Sequence, residues 1–159
     1  LILRLKDDYD GAEPSGNALA TLALLKLGAI TERADYVAAA QRTLDLFAGQ
    51  LMQMPRAMTC LWQAADFSLV PTLRVVIAGD PAAADTQSLL AAVHDVYHPH
   101  CVVLGTAGAV EAFAQTLPAV DGRATAYLCS GQACQPPTQD ATTVKQMLIA
   151  HVTDGAADA

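Results

Sequence analysis

The run from Leu73 to Ala78 is apolar, rich in β-branched residues, and closes on Gly79-Asp80. Such a composition suits a strand buried on both faces, as in a parallel sheet covered by helices. Beyond it the chain alternates in character. A helix capped near Asp85 turns Leu89, Leu90, Val93 and Val96 inward, and Cys101 to Leu104 forms a second buried strand that leaves at Gly105. A helix from Val110 to Leu117 stops at Pro118, and Ala124 to Cys129 is a third strand. A last helix runs from Ala141 to Val152 after Pro136-Pro137. Residues 70–155 are therefore expected to form a small three-layer α/β unit of about three mainly parallel strands with right-handed crossovers.

The segment before it, residues 1–69, reads as all-α. Ser15, after Pro14 and before an apolar run, suits an N-cap. Ala18 to Leu27 is apolar nearly all round, as in a helix buried on most of its surface, and Gly28 should end it. Between about Arg33 and Met52, Val37, Ala40, Leu44, Phe47 and Leu51 recur at three- and four-residue spacing and mark one apolar stripe. The short link between these two helices implies an antiparallel hairpin. Pro55 should open a third, shorter helix carrying Met58, Leu61, Trp62 and Ala65.

With 53% apolar residues, the 159-residue chain has enough to bury a real core. A formal charge of −7 and an isoelectric point near 4.7 argue against binding a phosphate backbone, and the nine basic residues never form a run. Nucleic acid is therefore not an expected partner. Nor is a membrane: the longest apolar stretch, Ala18 to Ile30, is too short to span a bilayer and is interrupted by Thr21 and Lys26. Four cysteines do not make a disulfide scaffold at this size, so a reduced, cytoplasmic setting is expected. The chain opens Leu-Ile-Leu without methionine, as a piece of a longer polypeptide would.

Few groups speak of chemistry. Cys129 and Cys134 frame a C-x4-C loop directly after a strand, which suits inert thiols, a reversible disulfide or half of a metal site. Zinc would need two further ligands, and no C-x2-C partner exists. His94, His98, His100 and Cys101 form a tempting cluster, but Pro99 separates the last two from the helix, so no metal is expected there. Gly79-Asp80-Pro81 lacks the pattern of a phosphate loop and reads as a tight turn. No cofactor is expected. Asp10, Glu13, Ser15 and Asn17 crowd a loop before a buried helix, where carboxylates can act as acid and base or grip sugar hydroxyls. The alternative there is a solvated loop with a helix cap.

Three runs taken together carry a resemblance: Tyr9-Asp-Gly-Ala-Glu-Pro-Ser-Gly-Asn-Ala18, Ala92-Val-His-Asp-Val-Tyr97 with Pro99, and Ala124-Thr-Ala-Tyr-Leu-Cys129 with Gln132-Ala-Cys134 and Pro137. In this order they resemble the C-terminal part of the YyaL family, thioredoxin-domain-containing proteins related to the animal spermatogenesis-associated protein. The resemblance implies three parts: an upstream thioredoxin-like domain, a six-hairpin (α/α) barrel similar to N-acylglucosamine 2-epimerases and glycosidases, and a short C-terminal α/β region. Residues 1–69 would be the last hairpins of the barrel and residues 70–155 the terminal unit, mainly a structural cap. Asp10, Glu13 and Asn17 become candidates for a sugar pocket, with the upstream domains of the same polypeptide as partners and a small carbohydrate as ligand. The whole protein would be a sugar isomerase, epimerase or glycosidase-like enzyme, and the present chain is not expected to catalyse alone. Exposed faces of a barrel remnant would favour a homodimer. The alternative function is thiol chemistry, with Cys129 and Cys134 as the redox pair working beside the thioredoxin-like domain.

Overall fold

The structure is a computed structural model that describes residues 9–131 and 133–157. The first eight positions of the expected helical segment, and Gln132, lie outside the described residues. The chain divides into two compact units, with the boundary between Pro71 and Thr72.

The first unit is helical. Helix α1 (Gly16–Thr31) begins where expected: Ser15 is extended, and its Oγ accepts the N–H of Ala18 at 3.2 Å. It does not stop at Gly28. A Cβ on Gly28 would lie 2.6 Å from Val37 Cγ2, so this glycine serves a close approach of the next helix and the helix continues past it. The turn comes instead at Glu32, whose φ of 56° places it in the left-handed region that ends helices. Helix α2 (Ala34–Gln53) follows a two-residue link and packs beside α1 as a helical hairpin. Its stripe is buried at Ala40, Leu44, Phe47 and Leu51, while Val37 stays 43% exposed.

Pro55 opens only a 3-10 turn, Pro55–Ala57, and helix α3 starts later, at Thr59, and runs to Leu69. Met58 interrupts the two with φ −136°, outside helical space. The inward face of α3 is Cys60, Leu61, Ala64 and Phe67, with Trp62 turned outward. Helix α1 packs against both α2 and α3.

The second unit is a mixed sheet with two helices. Strands β1 (Leu73–Ala78), β2 (Cys101–Leu104), β3 (Thr125–Ser130) and β4 (Ala133–Cys134) lie in the order β2-β1-β3-β4. Only β1 and β2 are parallel, with Leu73 opposite Cys101. β3 runs antiparallel to β1, with Leu73 opposite Ser130, and β4 runs antiparallel to β3. The expected set of three mainly parallel strands is thus corrected to four strands with one parallel pair. The cause lies in the connection from β2 to β3. A parallel strand needs a crossover, usually helical. The stretch expected to be a helix at Val110–Leu117 forms only a 3-10 turn, Ala114–Thr116, so no second βαβ unit arises.

Helices α4 (Ala84–His94) and α5 (Ala141–Ala157) share one face of this sheet. Leu73, Val75 and Ile77 alternate along β1 and join Ala126 and Leu128 of β3, Leu89, Ala92 and Val93 of α4, and Val144 and Leu148 of α5 in one core. Burying each such Leu or Val stabilises the fold by roughly 1.5–3 kcal/mol. The other face of β1 and β3, carrying Arg74 and Tyr127, meets irregular chain: Arg74 bonds Glu111, and Tyr127 Oη donates to the carbonyl of Pro118. A layer of helix on that side, as a three-layer unit would have, is replaced by this segment.

The turn after β1 forms as expected, with Asp80 Oδ1 and its carbonyl accepting the N–H groups of Ala82 and Ala83 at 2.9 Å each. Asp85 then ties α4 to the start of β3. Its carboxylate accepts the N–H of Ala124 at 2.8 Å and of Thr86 at 2.9 Å, and these bonds hold its carboxyl below the usual range.

Candidate functional site

The loop before α1 is held by Asp10. Its Oδ1 accepts the N–H of Ser15 at 2.8 Å, and its Oδ2 accepts the N–H of Cys60 at 2.7 Å and faces Thr59 Oγ1 at 3.5 Å. The Asp10 N–H itself donates to the carbonyl of Ala57 at 2.7 Å. This carboxylate therefore caps the first turn of α3, where a negative charge is favoured by the helix dipole. Both oxygens are engaged with backbone, which makes Asp10 a structural clamp in this loop.

Glu13 is exposed in the same loop, and its carbonyl accepts the N–H of Gly11 at 3.1 Å. Asn17 sits half-buried in the first turn of α1, its carbonyl accepting Thr21 Oγ1 at 2.7 Å. The three candidates thus lie along one loop and helix start, in unlike roles. No local pattern announced that Asp10 reaches Cys60, whose thiol burial pushes up, with the Asp10 charge adding to that effect.

Cys129 and Cys134 are joined in a disulfide across β3 and β4, with their Cα atoms 4.0 Å apart. They lie directly opposite each other beyond a tight turn in which Gly131 takes φ 58°. The N–H of Gln135 donates to Leu128 at 2.9 Å, just past the pair. Cys129 is 2% exposed, whereas Cys134 lies open on the short edge strand. The signal for this hairpin was present in Ser130-Gly131, a glycine placed where a hairpin turn needs positive φ.

Sequence reasoning passed over Arg74 and Glu111. Arg74 stands opposite Cys129 in the β1–β3 register. Its Nη1 donates to Glu111 Oε2 at 2.6 Å and its Nη2 to the carbonyl of Gly131 at 2.7 Å. The Arg74 side chain is 17% exposed and that of Glu111 is 2% exposed, so this is a largely buried ion pair. A lone cation inside an otherwise apolar strand was the available clue, because arginine is buried only when paired.

The histidines do not gather as the sequence cluster grouped them. His98 Nε2 and His151 Nδ1 of α5 lie 3.0 Å apart, while His94 is exposed at the end of α4. Among the described residues no three His, Cys, Asp or Glu side chains come together as metal ligands. Burial, then His151 and His100, lower the pKa of His98.

Crevices open among the described residues of the second unit. One of about 470 Å³ runs past Val120, Asp121, Arg123, Gln139 and Asp140. Another of about 260 Å³ sits at the carboxyl ends of β1 and β2, walled by Ile77, Thr86, Leu90 and Leu104. That is where α/β sheets commonly receive ligands. Here Asp80 and Asp85 already take the N–H groups of Ala82 and Thr86 at the start of α4, so the place is no anion cradle. Asp10, Glu13 and Asn17 line neither crevice.

A helical unit joined to a mixed α/β unit with a disulfide-bearing edge hairpin is thus the class of protein that these features define. In sequence the chain is homologous to spermatogenesis-associated protein 20. It is 35% identical to the rat protein and 34% identical to the human and mouse proteins, in each case over 155 residues and 93% of the chain. The chain spans about a fifth of the length of these curated relatives, 20% in each case. No family model matches the chain. No solved structure matches it either.

Proposed function

We propose that this chain is the C-terminal part of a larger, YyaL-type carbohydrate-active protein. In this reading α1–α3 are the last helices of a six-hairpin barrel of the epimerase and glycosidase kind, and the α/β unit is mainly a structural cap. The observation that carries it is the bridge from Asp10 to Ser15 and Cys60, which fixes the loop before α1 and holds Glu13 exposed on it. In related barrels such loops border the sugar pocket. Asp10 is then a positioning residue, and Glu13 and Asn17 are the groups that meet sugar hydroxyls. The cytoplasm is the proposed setting, and no described helix is long and apolar enough to cross a membrane.

The test uses the whole protein, titrated calorimetrically with N-acetylglucosamine and N-acetylmannosamine. Glu13→Gln should weaken binding by about tenfold, the loss of one charge-assisted hydrogen bond, without lowering the melting temperature. Unchanged affinity would overturn the reading.

A second reading is supported by the disulfide itself. Cys129 and Cys134 would serve thiol chemistry beside an upstream thioredoxin-like domain. Its requirement is that the bond open and close while the chain stays folded.

A further inference from the structure

The disulfide is lopsided. Cys129 sits on β3, which is paired on both sides, and is 2% exposed. Cys134 lies exposed on β4, a two-residue strand at the edge of the sheet. A thiolate displaces one sulfur of a disulfide by attacking the other, so access decides which cysteine is struck and which leaves.

The hairpin is also held by bonds that do not involve sulfur. Ser130 pairs with Ala133, and the N–H of Gln135 donates to Leu128 at 2.9 Å. Farther along, Ala126 and Thr138 exchange two backbone bonds at 2.8 and 3.0 Å. Arg74 holds the carbonyl of Gly131, within the turn between the two cysteines, while Glu111 holds Arg74. Opening the S–S bond removes none of these, so the two thiols stay opposite each other and ready to close again.

Resting on the thiol reading of the proposed function, we infer that the hairpin is a directional exchange site: an external dithiol enters at Cys134, and Cys129 is the leaving group. A thiolate of the dithiol attacks Cys134 Sγ, forming a mixed disulfide. The bond between Cys134 and Cys129 breaks, and its electron pair goes to Cys129 Sγ, which takes up a proton from water. The second thiol of the reductant, deprotonated, then attacks the reductant's own sulfur and releases Cys134 as a thiolate. The dithiol is oxidised by two electrons to a disulfide, and this chain gains two thiols. Arg74 stands opposite Cys129 on β1 and is paired with Glu111 from the segment between β2 and β3, so the leaving thiolate is met by a guanidinium whose charge is partly offset. Arg74 acts here as a positioning residue that keeps the turn in place.

The experiment treats the folded 159-residue chain with excess reduced glutathione, quenches in acid and maps the adducts by peptide mass spectrometry. Glutathione is expected on Cys134, with Cys129 recovered as a free thiol. In parallel, Cys129→Ser and Cys134→Ser proteins are exposed to glutathione disulfide. Cys129→Ser, which keeps Cys134, should react at least about tenfold faster in the folded state, and urea should abolish the difference. Adducts on Cys129, or equal rates in the folded variants, would overturn the direction while leaving the thiol reading intact. A bond that resists dithiothreitol until urea unfolds the chain would sink both. The mapping of the unsubstituted protein decides the matter even where a serine variant fails to fold.

Discussion

The carboxylate of Asp10 accepts the backbone N–H of Cys60 at 2.7 Å, fastening the loop before α1 to the first turn of a helix fifty positions farther on. The same group accepts the N–H of Ser15, so one side chain closes the start of two helices. Hydrogen bonds to a charged acceptor contribute about 1.5–3 kcal/mol each, and a lost N-cap costs about 1 kcal/mol. Asp10→Ala is expected to destabilise the helical unit by roughly 2–4 kcal/mol, and Asp10→Asn by less, since its amide keeps one acceptor. Urea unfolding followed by helical circular dichroism checks this. A loss under about 0.5 kcal/mol for the alanine variant would show that the clamp is idle.

Arg74 and Glu111 make a different kind of bond, an ion pair drawn out of water. Removing one partner leaves a buried charge uncompensated, which costs about 3–5 kcal/mol, whereas replacing both by apolar groups of similar size is often neutral. Arg74→Met alone should therefore be severely destabilising. Arg74→Met combined with Glu111→Leu should recover most of the loss. If the double variant is no better than the single one, the bond from Arg74 to Gly131 matters more than the pairing.

Gly79 is fixed by space. A Cβ there would sit 2.5 Å from Thr86 Oγ1 and 3.2 Å from the Cα of Ala124, and backbone cannot retreat as a side chain can. Gly79→Ala should cost about 1–3 kcal/mol through overpacking. Adding Thr86→Ala removes the nearer clash, so the pair should be less destabilised than the sum of the single changes. Strict additivity in thermal melts would contradict this close approach.

Local signals carried α2 and the start of α1 well, because a 3.6-residue stripe and a serine cap act within one element. They failed where tertiary contacts decide. Gly28 looks like a stop signal in one dimension, yet its missing Cβ makes room for Val37, and the chain turns at Glu32. Apolar composition placed β1 and β3 but carries no direction, so the antiparallel pairing of β3 was not legible. Val110–Leu117 had helix formers and a terminating proline, but buries little beyond Glu111 and Ala114. Without an apolar stripe to bury, a run this short has little to stabilise it as a helix. In the candidate site, Asp10, Glu13 and Asn17 share one loop and helix start simply because they are neighbours in sequence. The partner that defines Asp10 lies in α3, at a distance no local pattern reaches.

His98 gives the second unit a pH dependence with a definite sign. Its Nε2 meets His151 Nδ1 at 3.0 Å, its Nδ1 is buried without a hydrogen-bond partner, and His100 is close by. From α5, Lys145 also faces this end of α4, but it pairs with Asp95. Burial, reinforced by His151 and His100, disfavours the imidazolium, so the folded pKa falls below the ordinary value of 6.5. Above that value both states hold a neutral ring, and stability is at its full level. As pH falls below it, the unfolded chain takes up the proton first, and stability is lost until the folded state also protonates. One group contributes a slope of at most about 1.4 kcal/mol per pH unit in that window. His98→Gln should flatten the curve of urea midpoint against pH between about pH 5 and pH 7.5, at some cost in overall stability. If the variant keeps the same slope, the pH dependence originates elsewhere, and His98 does no more than pack against His151 of α5.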